Sequence, residues 1–119
     1  MNKALRVADY LGHILQAIER INRYTRDMDE AAFLNSELVQ DAVIRNIEII
    51  GEAANNVLRV DPAFAAQHNH VPWLVMYTMR NRVSHGYDKV DLEIVWQTIQ
   101  SDLPGLCQQV QSIANKIRP

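Results

Sequence analysis

The sequence predicts an all-α fold, an up-and-down bundle of four to five helices. Three observations point there. Apolar residues recur every three or four positions along most of the chain, which is the period of one face of a helix. No stretch alternates with the period of two that a half-buried strand requires. The links between periodic stretches are short, so successive helices fold back on one another.

The first helix is expected from about Lys3 to Arg26, with Val7, Leu11, Ile14, Ile18 and Ile21 as its apolar stripe. "RDMDE" follows as an acidic link. Asn35 or Ser36 suits the cap of a second helix, because a short side-chain oxygen can accept from an early backbone N–H. That helix runs to about Val60 on a stripe of Val39, Val43, Ile47, Ile50, Ala54 and Val57. Gly51 sits in its middle, where it costs about 1 kcal/mol against alanine. The compensation expected is close approach of another helix, since glycine has no side chain to hold it off. "VDPAFAAQHNHVP" reads as a loop with one short turn at "PAFAAQ".

Pro72 suits the first turn of a third long helix, where its missing N–H has no partner to lose. "PWLVMYTMRNRVS" continues it, with Trp73, Leu74, Tyr77 and Val83 facing inward. Gly86 is placed just past its end, where a left-handed backbone is often needed. Asp91 caps the last helix, whose stripe is 92, 95, 96, 99, 103, 106, 110, 113 and 117. Pro104 interrupts it, removes a backbone donor and is expected to kink it.

Composition narrows the function classes. A chain of 119 residues that is 48% apolar suits a single domain over residues 1–119 with a real core. The formal charge of −2 provides no global field for nucleic acid, although a local basic cleft is compatible with it. Cys107 is the single cysteine, so no intramolecular disulfide can form. The N-terminal stretch carries charges throughout and lacks the apolar run of a signal peptide or membrane span. The expectation is a soluble, cytoplasmic protein without a membrane partner.

One short stretch concentrates chemistry: "RNRVSHGY", Arg80 to Tyr87. Histidine moves protons near neutral pH. Arginine stays charged and offers a planar fork of donors matched to phosphate oxygens. Asn81 can hold the imidazole or a phosphate. Arg82 either adds a phosphate contact or stands solvated, and Ser84 joins it as a substrate-binding candidate. Together these groups suit phosphate-ester cleavage in RNA, whose 2′-OH is a built-in nucleophile. His85 can take its proton, and Arg80 can stabilise charge building on phosphorus. On one continuous helix, however, positions 80 and 85 point about 140° apart. A helix ending at Ser84 or His85 is therefore expected. The leaving 5′-oxygen also wants a proton donor, which a two-fold dimer would provide by bringing in a second set. From spacing alone, a polar, solvated helix end is the better reading, since the helix dipole also favours histidine there.

The stretch resembles the hallmark of the HEPN domain: arginine, four to six residues, then histidine. Its HepT-type extension, His-x-Tyr, is matched by His85-Gly86-Tyr87. "IIGEAANNV" from Ile49, "VPW" from Val71 and "VWQTIQSDLPGL" from Val95 fit in order, so the resemblance covers nearly the whole chain. It implies an all-helical homodimer with two motifs facing across a cleft, and a metal-independent ribonuclease that needs no cofactor. Arg80 and His85 would be catalytic and Asn81 supporting. It further implies the toxin of a type VII-like toxin–antitoxin pair acting on tRNA or mRNA. Its partner would be a minimal nucleotidyltransferase antitoxin that adenylylates Tyr87. A bulky, anionic AMP there would occupy an arginine-lined cleft and repel substrate phosphate. The alternative within the resemblance is a non-catalytic HEPN module that docks on such a nucleotidyltransferase. One departure is visible: a glycine often precedes the arginine, whereas this chain has Tyr77-Thr78-Met79.

Other residues read more simply. His68 and His70 lack a third ligand and suit a solvated loop better than a metal site. His13 reads as a boundary residue of the first helix. Glu48 and Glu52 share a face, flanked by Arg45 and Arg59, and read as a surface or interface salt-bridge network in preference to an acid–base pair. Trp73 and Trp96 read as core or interface aromatics, and Cys107 as a small buried hydrophobe.

Overall fold

The computed structural model describes residues 2–85 and 91–117, and the side chains of residues 81–85 lie outside that description. Every regular element among the described residues is helical. Helix α1 spans Lys3–Thr25, α2 Glu30–Leu34, α3 Glu37–Val60, α4 Pro62–Gln67, α5 Trp73–His85, α6 Leu92–Gln97 and α7 Leu103–Ile117. The long helices α1, α3 and α5, with the α6–α7 arm, are the bundle expected from the apolar periods. No helix among the described residues is long and apolar enough to cross a membrane.

The helix starts are chosen by short polar side chains. Asn2 accepts from the Leu5 N–H, Ser36 from Val39, Asp61 from Phe64 and Asp91 from both Glu93 and Ile94. Each satisfies a backbone donor that the first helical turn leaves unpaired. Ser36, not Asn35, caps α3; the Asn35 side chain instead donates to the Ala31 carbonyl at the end of α2.

The stripes of α1 and α3 meet in the core. Val7, Leu11, Ile14, Ile18 and Ile21 of α1 are all buried, as are Val43, Ile47, Ile50, Ala54 and Val57 of α3. These two helices form the main packing layer; α5 packs on the other side of α3, and α7 closes on α1. Residues 95, 99, 103, 106, 110 and 113 of the last stripe are buried, as their spacing requires.

Four expectations need correction. "RDMDE" is not only a link: its Asp29 caps the short helix α2, which contributes fully buried Phe33 to the core. Phe33 packs on Trp96 at 5.4 Å between ring centroids, and the buried Gln40 Nε2 donates to the Phe33 and Leu34 carbonyls. A five-residue helix has too short a period to be read from pattern. Second, Pro72 lies just before α5, and its carbonyl accepts the Met76 N–H, so it occupies the cap and not the first turn. Third, Leu74 is 63% exposed, and Met76 takes the inward place at 5% exposure. With Trp73 fixed inward, the next inward positions fall three and seven residues later, which excludes 74. Fourth, Cys107 is only partly buried, at the edge of the core. Val83 and Gly86 lie outside the residues whose side chains or backbone are described.

Pro104 does interrupt the last helix, and the interruption takes a particular form. Thr98–Asp102 make a π-helical turn between α6 and α7, with the Leu103 N–H bonded to the Thr98 carbonyl. An extra residue in the turn relieves the crowding that the proline ring imposes on the carbonyl four residues earlier. The stripe stays in register across it, since Val95, Ile99, Leu103 and Leu106 all remain buried.

Candidate functional site

The described part of the "RNRVSHGY" stretch is built on α5, and it begins with how that helix is anchored. Trp73 Nε1–H donates to the His68 carbonyl at 3.1 Å, tying the start of α5 to the end of α4. Trp73 and Met76 are buried against the core, and Tyr77, Met79 and Arg80 are partly buried. Residues 73, 76 and 80 follow the i, i+3, i+7 spacing of one helix face. Arg80 therefore occupies the next place on the core-facing stripe of α5, where a hydrophobic residue would ordinarily stand.

Gly51 explains how an arginine fits there. A Cβ built on Gly51 would collide with the Arg80 Cβ, and would lie 3.1 Å from the Met76 carbonyl oxygen and 3.3 Å from the Arg80 Cγ. The close approach expected at this glycine is present, and its partner is the arginine of the motif. The apolar stem of Arg80 lies directly on the bare backbone of α3, as long cationic side chains do when they cross an apolar surface.

The head of Arg80 is also engaged. Its Nε lies 2.9 Å from Oε1 of Glu52, the residue after Gly51. Its guanidinium carbon lies 5.8 Å from the centre of the Tyr77 ring. The two side chains of the ion pair are 32% and 50% exposed, so the pair contributes only about 0–1 kcal/mol to stability. The cation–ring contact adds about 0.5–1 kcal/mol. Their effect is orientation: they restrict the plane in which the guanidinium can lie. Glu52 does form a salt bridge, as read, but with a partner other than the flanking Arg45 and Arg59. It pairs across helices with Arg80, while Arg59 donates to Asn56 at 2.5 Å. The signal was available in Gly51 itself, since a mid-helix glycine marks the face where another helix arrives and its neighbour lies beside that contact.

The remaining motif residues divide by what is described. The backbone of Asn81, Arg82, Ser84 and His85 belongs to α5, which ends at His85. The side chains of these four residues, and Tyr87 as a whole, lie outside the described residues. Positions 80 and 85 thus stand on one continuous helix and diverge by about 140° around its axis. Position 85 falls instead within about 20° of position 74. The described face at 74 and 75 is apolar and exposed, with Leu74 at 63% and Val75 at 58%.

Two other places bear on function. A groove of about 360 Å³ between α3, α5 and the α6–α7 arm is lined mainly by apolar side chains, including Ile47, Met76, Met79 and Leu106, with Asp102 as its charged lining residue. A polyanion gains nothing from such a lining. His68 and His70 come together, with ring centroids 5.9 Å apart, and the His68 ring packs on Phe64 at 4.5 Å. Burial holds the His68 imidazole below its ordinary pKa, helped by the charges of His70 and Lys116. Among the described residues no three His, Cys, Asp or Glu side chains gather as metal ligands.

Comparison with known proteins places these features in a family. Residues 14–113 match the family model described as "Ribonuclease HepT-like". Over 108 residues the chain is 41% identical to a "Gamma-glutamylcyclotransferase and putative RNase" of Methanocaldococcus jannaschii, covering 91% of this chain but 47% of that protein. The chain thus spans about half the length of that relative. It is also 41% identical over 98 residues to a "Probable ribonuclease HepT" of Thermococcus cleftensis, covering 82% of this chain and 86% of the relative. No solved structure matches the chain.

The helix contact at Gly51 yields a prediction with an internal control. Gly51→Ala should lower the thermal midpoint, because the new methyl meets the Arg80 Cβ and a backbone carbonyl; overpacking of this kind costs about 1–3 kcal/mol. Gly12→Ala, in α1 with nothing within 4 Å of the new Cβ, should raise it through helix propensity worth up to about 1 kcal/mol. Thermal melts of both variants check the opposite signs.

Proposed function

The chain belongs to the HepT-like ribonuclease family, and from that premise we propose that it cleaves RNA by metal-independent transesterification at a site shared between two copies. The observation that carries this reading is the matched segment's Arg80-x4-His85 spacing, with Arg80 held on the core-facing stripe of α5 against Gly51 and Glu52. An arginine fixed at stem and head is a preorganised phosphate ligand, and preorganised charge is the main means of stabilising a phosphorane.

In the proposed reaction His85 takes the proton of the 2′-OH, and O2′ attacks the adjacent phosphorus. The O2′–P bond forms, the P–O5′ bond breaks, and the departing O5′ receives a proton. The products are a 2′,3′-cyclic phosphate and a free 5′-hydroxyl. Arg80 bears against the equatorial oxygens, where negative charge grows. Asn81 orients the imidazole or the phosphate, and Arg82 and Ser84 hold flanking phosphates. The second proton-transfer group is the His85 of another copy. Two facts support that arrangement. Positions 80 and 85 diverge on one helix, so a single α5 does not aim both at one phosphate. The exposed Leu74 and Val75, at 63% and 58%, leave an apolar surface on α5 that a second copy can cover.

Within this reading the chain is the toxin of a two-gene pair, and Tyr87 is its off-switch. A nucleotidyltransferase antitoxin would join the tyrosine oxygen to the α-phosphorus of ATP and release pyrophosphate. The resulting AMP brings a phosphate and a purine next to the arginines that must receive RNA, and competes with it.

Three experiments test separate parts. Purified wild-type protein should cleave tRNA or mRNA in EDTA and leave cyclic phosphate ends, while Arg80→Ala and His85→Ala should lose at least about 100-fold in rate, as expected for removal of a charge clamp or a general acid–base. Equal cleavage by all three proteins, or none by any, rejects the ribonuclease reading; harmless overexpression of the wild type would then favour a non-catalytic docking module. Leu74→Asp should convert a dimer to monomers by light scattering and reduce cleavage with it. Intact-mass analysis after co-expression with the cognate nucleotidyltransferase should give AMP additions that disappear in Tyr87→Phe.

A further inference from the structure

We infer that Glu52 is a positioning residue for the Arg80 guanidinium, an inference that rests on the ribonuclease reading above. Gly51 and Glu52 are consecutive on α3 and hold opposite ends of one side chain. The bare Gly51 backbone receives the Cβ and Cγ of Arg80, and the Glu52 carboxylate meets its Nε at 2.9 Å. Because both contacts come from a single turn of α3, the arginine cannot change its reach without changing its angle. Tyr77, one turn earlier on α5, stands 5.8 Å from the same guanidinium and limits its rotation further.

Glu52 is an odd neighbour for a phosphate clamp if its purpose were affinity. A carboxylate beside the arginine reduces the positive charge an approaching phosphate meets. It is 50% exposed and contributes little to folding, so stability does not account for it either. Orientation accounts for both. Contact through Nε fixes the plane of the guanidinium, and a planar fork stabilises a phosphorane only when its plane is aligned with the oxygens that gain charge. Glu52 thus exchanges ground-state attraction for alignment in the transition state, which raises kcat at the expense of substrate binding.

This predicts a split between kinetic constants that loss of folding does not produce. Glu52→Gln should retain the wild-type thermal midpoint and lower kcat about 10- to 100-fold, the effect of misplacing a reacting group by about an ångström. Its KM should fall, and it should bind an all-deoxy oligonucleotide, which cannot react, more tightly than wild type. Glu52→Asp keeps the charge but not the reach, so its kcat should fall while KM stays at the wild-type value. Glu19→Gln, which removes the exposed ion pair with Arg23 on α1, serves as the control and should change neither constant. Wild-type kcat in Glu52→Gln overturns the inference and leaves the ribonuclease reading intact. A higher kcat overturns it too, since Glu52 would then restrain Arg80. A kcat loss that follows the folded fraction, with no gain in oligonucleotide affinity, makes Glu52 merely structural. If Glu52→Gln does not fold, the kcat and KM of Glu52→Asp decide. A wild-type chain that leaves RNA intact removes both readings together.

Discussion

The contact between α3 and α5 at Gly51 is the constraint on which the candidate site depends. Helix α5 packs chiefly on α3, and the groove toward α7 beside it stays open. Among the contacts that set its place are the Trp73 hydrogen bond to the end of α4, the buried Met76, and the seating of Arg80 on Gly51. A methyl group at position 51 would push apart the two helices whose distance fixes the arginine. The roughly 1 kcal/mol that a glycine costs in a helix is offset by an approach that no other residue permits.

Most of the architecture was legible in the sequence because its long helices carry strong apolar periods. The α1 stripe is buried throughout, and the α3 and last-helix stripes are buried except for Val39, Leu92, Trp96 and Ile117, which are partly buried at the core's edge; Ser36, one of the two cap candidates, and Asp91 and Val60 mark element ends. What escaped was short or depended on partners distant in sequence. Helix α2 has five residues, too few to show a period. Leu74 is as apolar as Met76, and only the seating of Trp73 decides which of the two turns inward. Glu52 looked like part of a network along α3 because Arg45 and Arg59 stand at helical spacing from it. Its actual partner is Arg80, 28 positions away; Gly51 marked the face where a helix would arrive, but no local pattern said which residue would arrive there.

The candidate site was legible in a different sense. Spacing named Arg80 and His85 but favoured a solvated helix end, and the ordered set of motifs outweighed it. The family match over residues 14–113 includes those motifs, so the resemblance and the match rest on the same stretch of chain. The fold adds what neither contains, namely that Arg80 belongs to the inward stripe of α5 and is seated on Gly51. Helical geometry sets position 85 about 140° around the same axis from Arg80.

That division has a physical consequence for any chemistry shared between the two positions. An arginine on the inward stripe is rigid because its stem is packed, and rigidity is what charge stabilisation requires. A proton-transfer group has the opposite need, since it must reach substrate oxygens from the solvent side and exchange protons between turnovers. In the proposed reaction, Arg80 on the core face of α5 meets the first requirement, and a position further around the same helix is asked to meet the second. The two positions are separated by about 140°, an angle that no rotamer of a single chain spans comfortably. In the proposed reaction a second copy is therefore asked to supply what one α5 does not, and the exposed Leu74 and Val75 are the apolar surface offered to it.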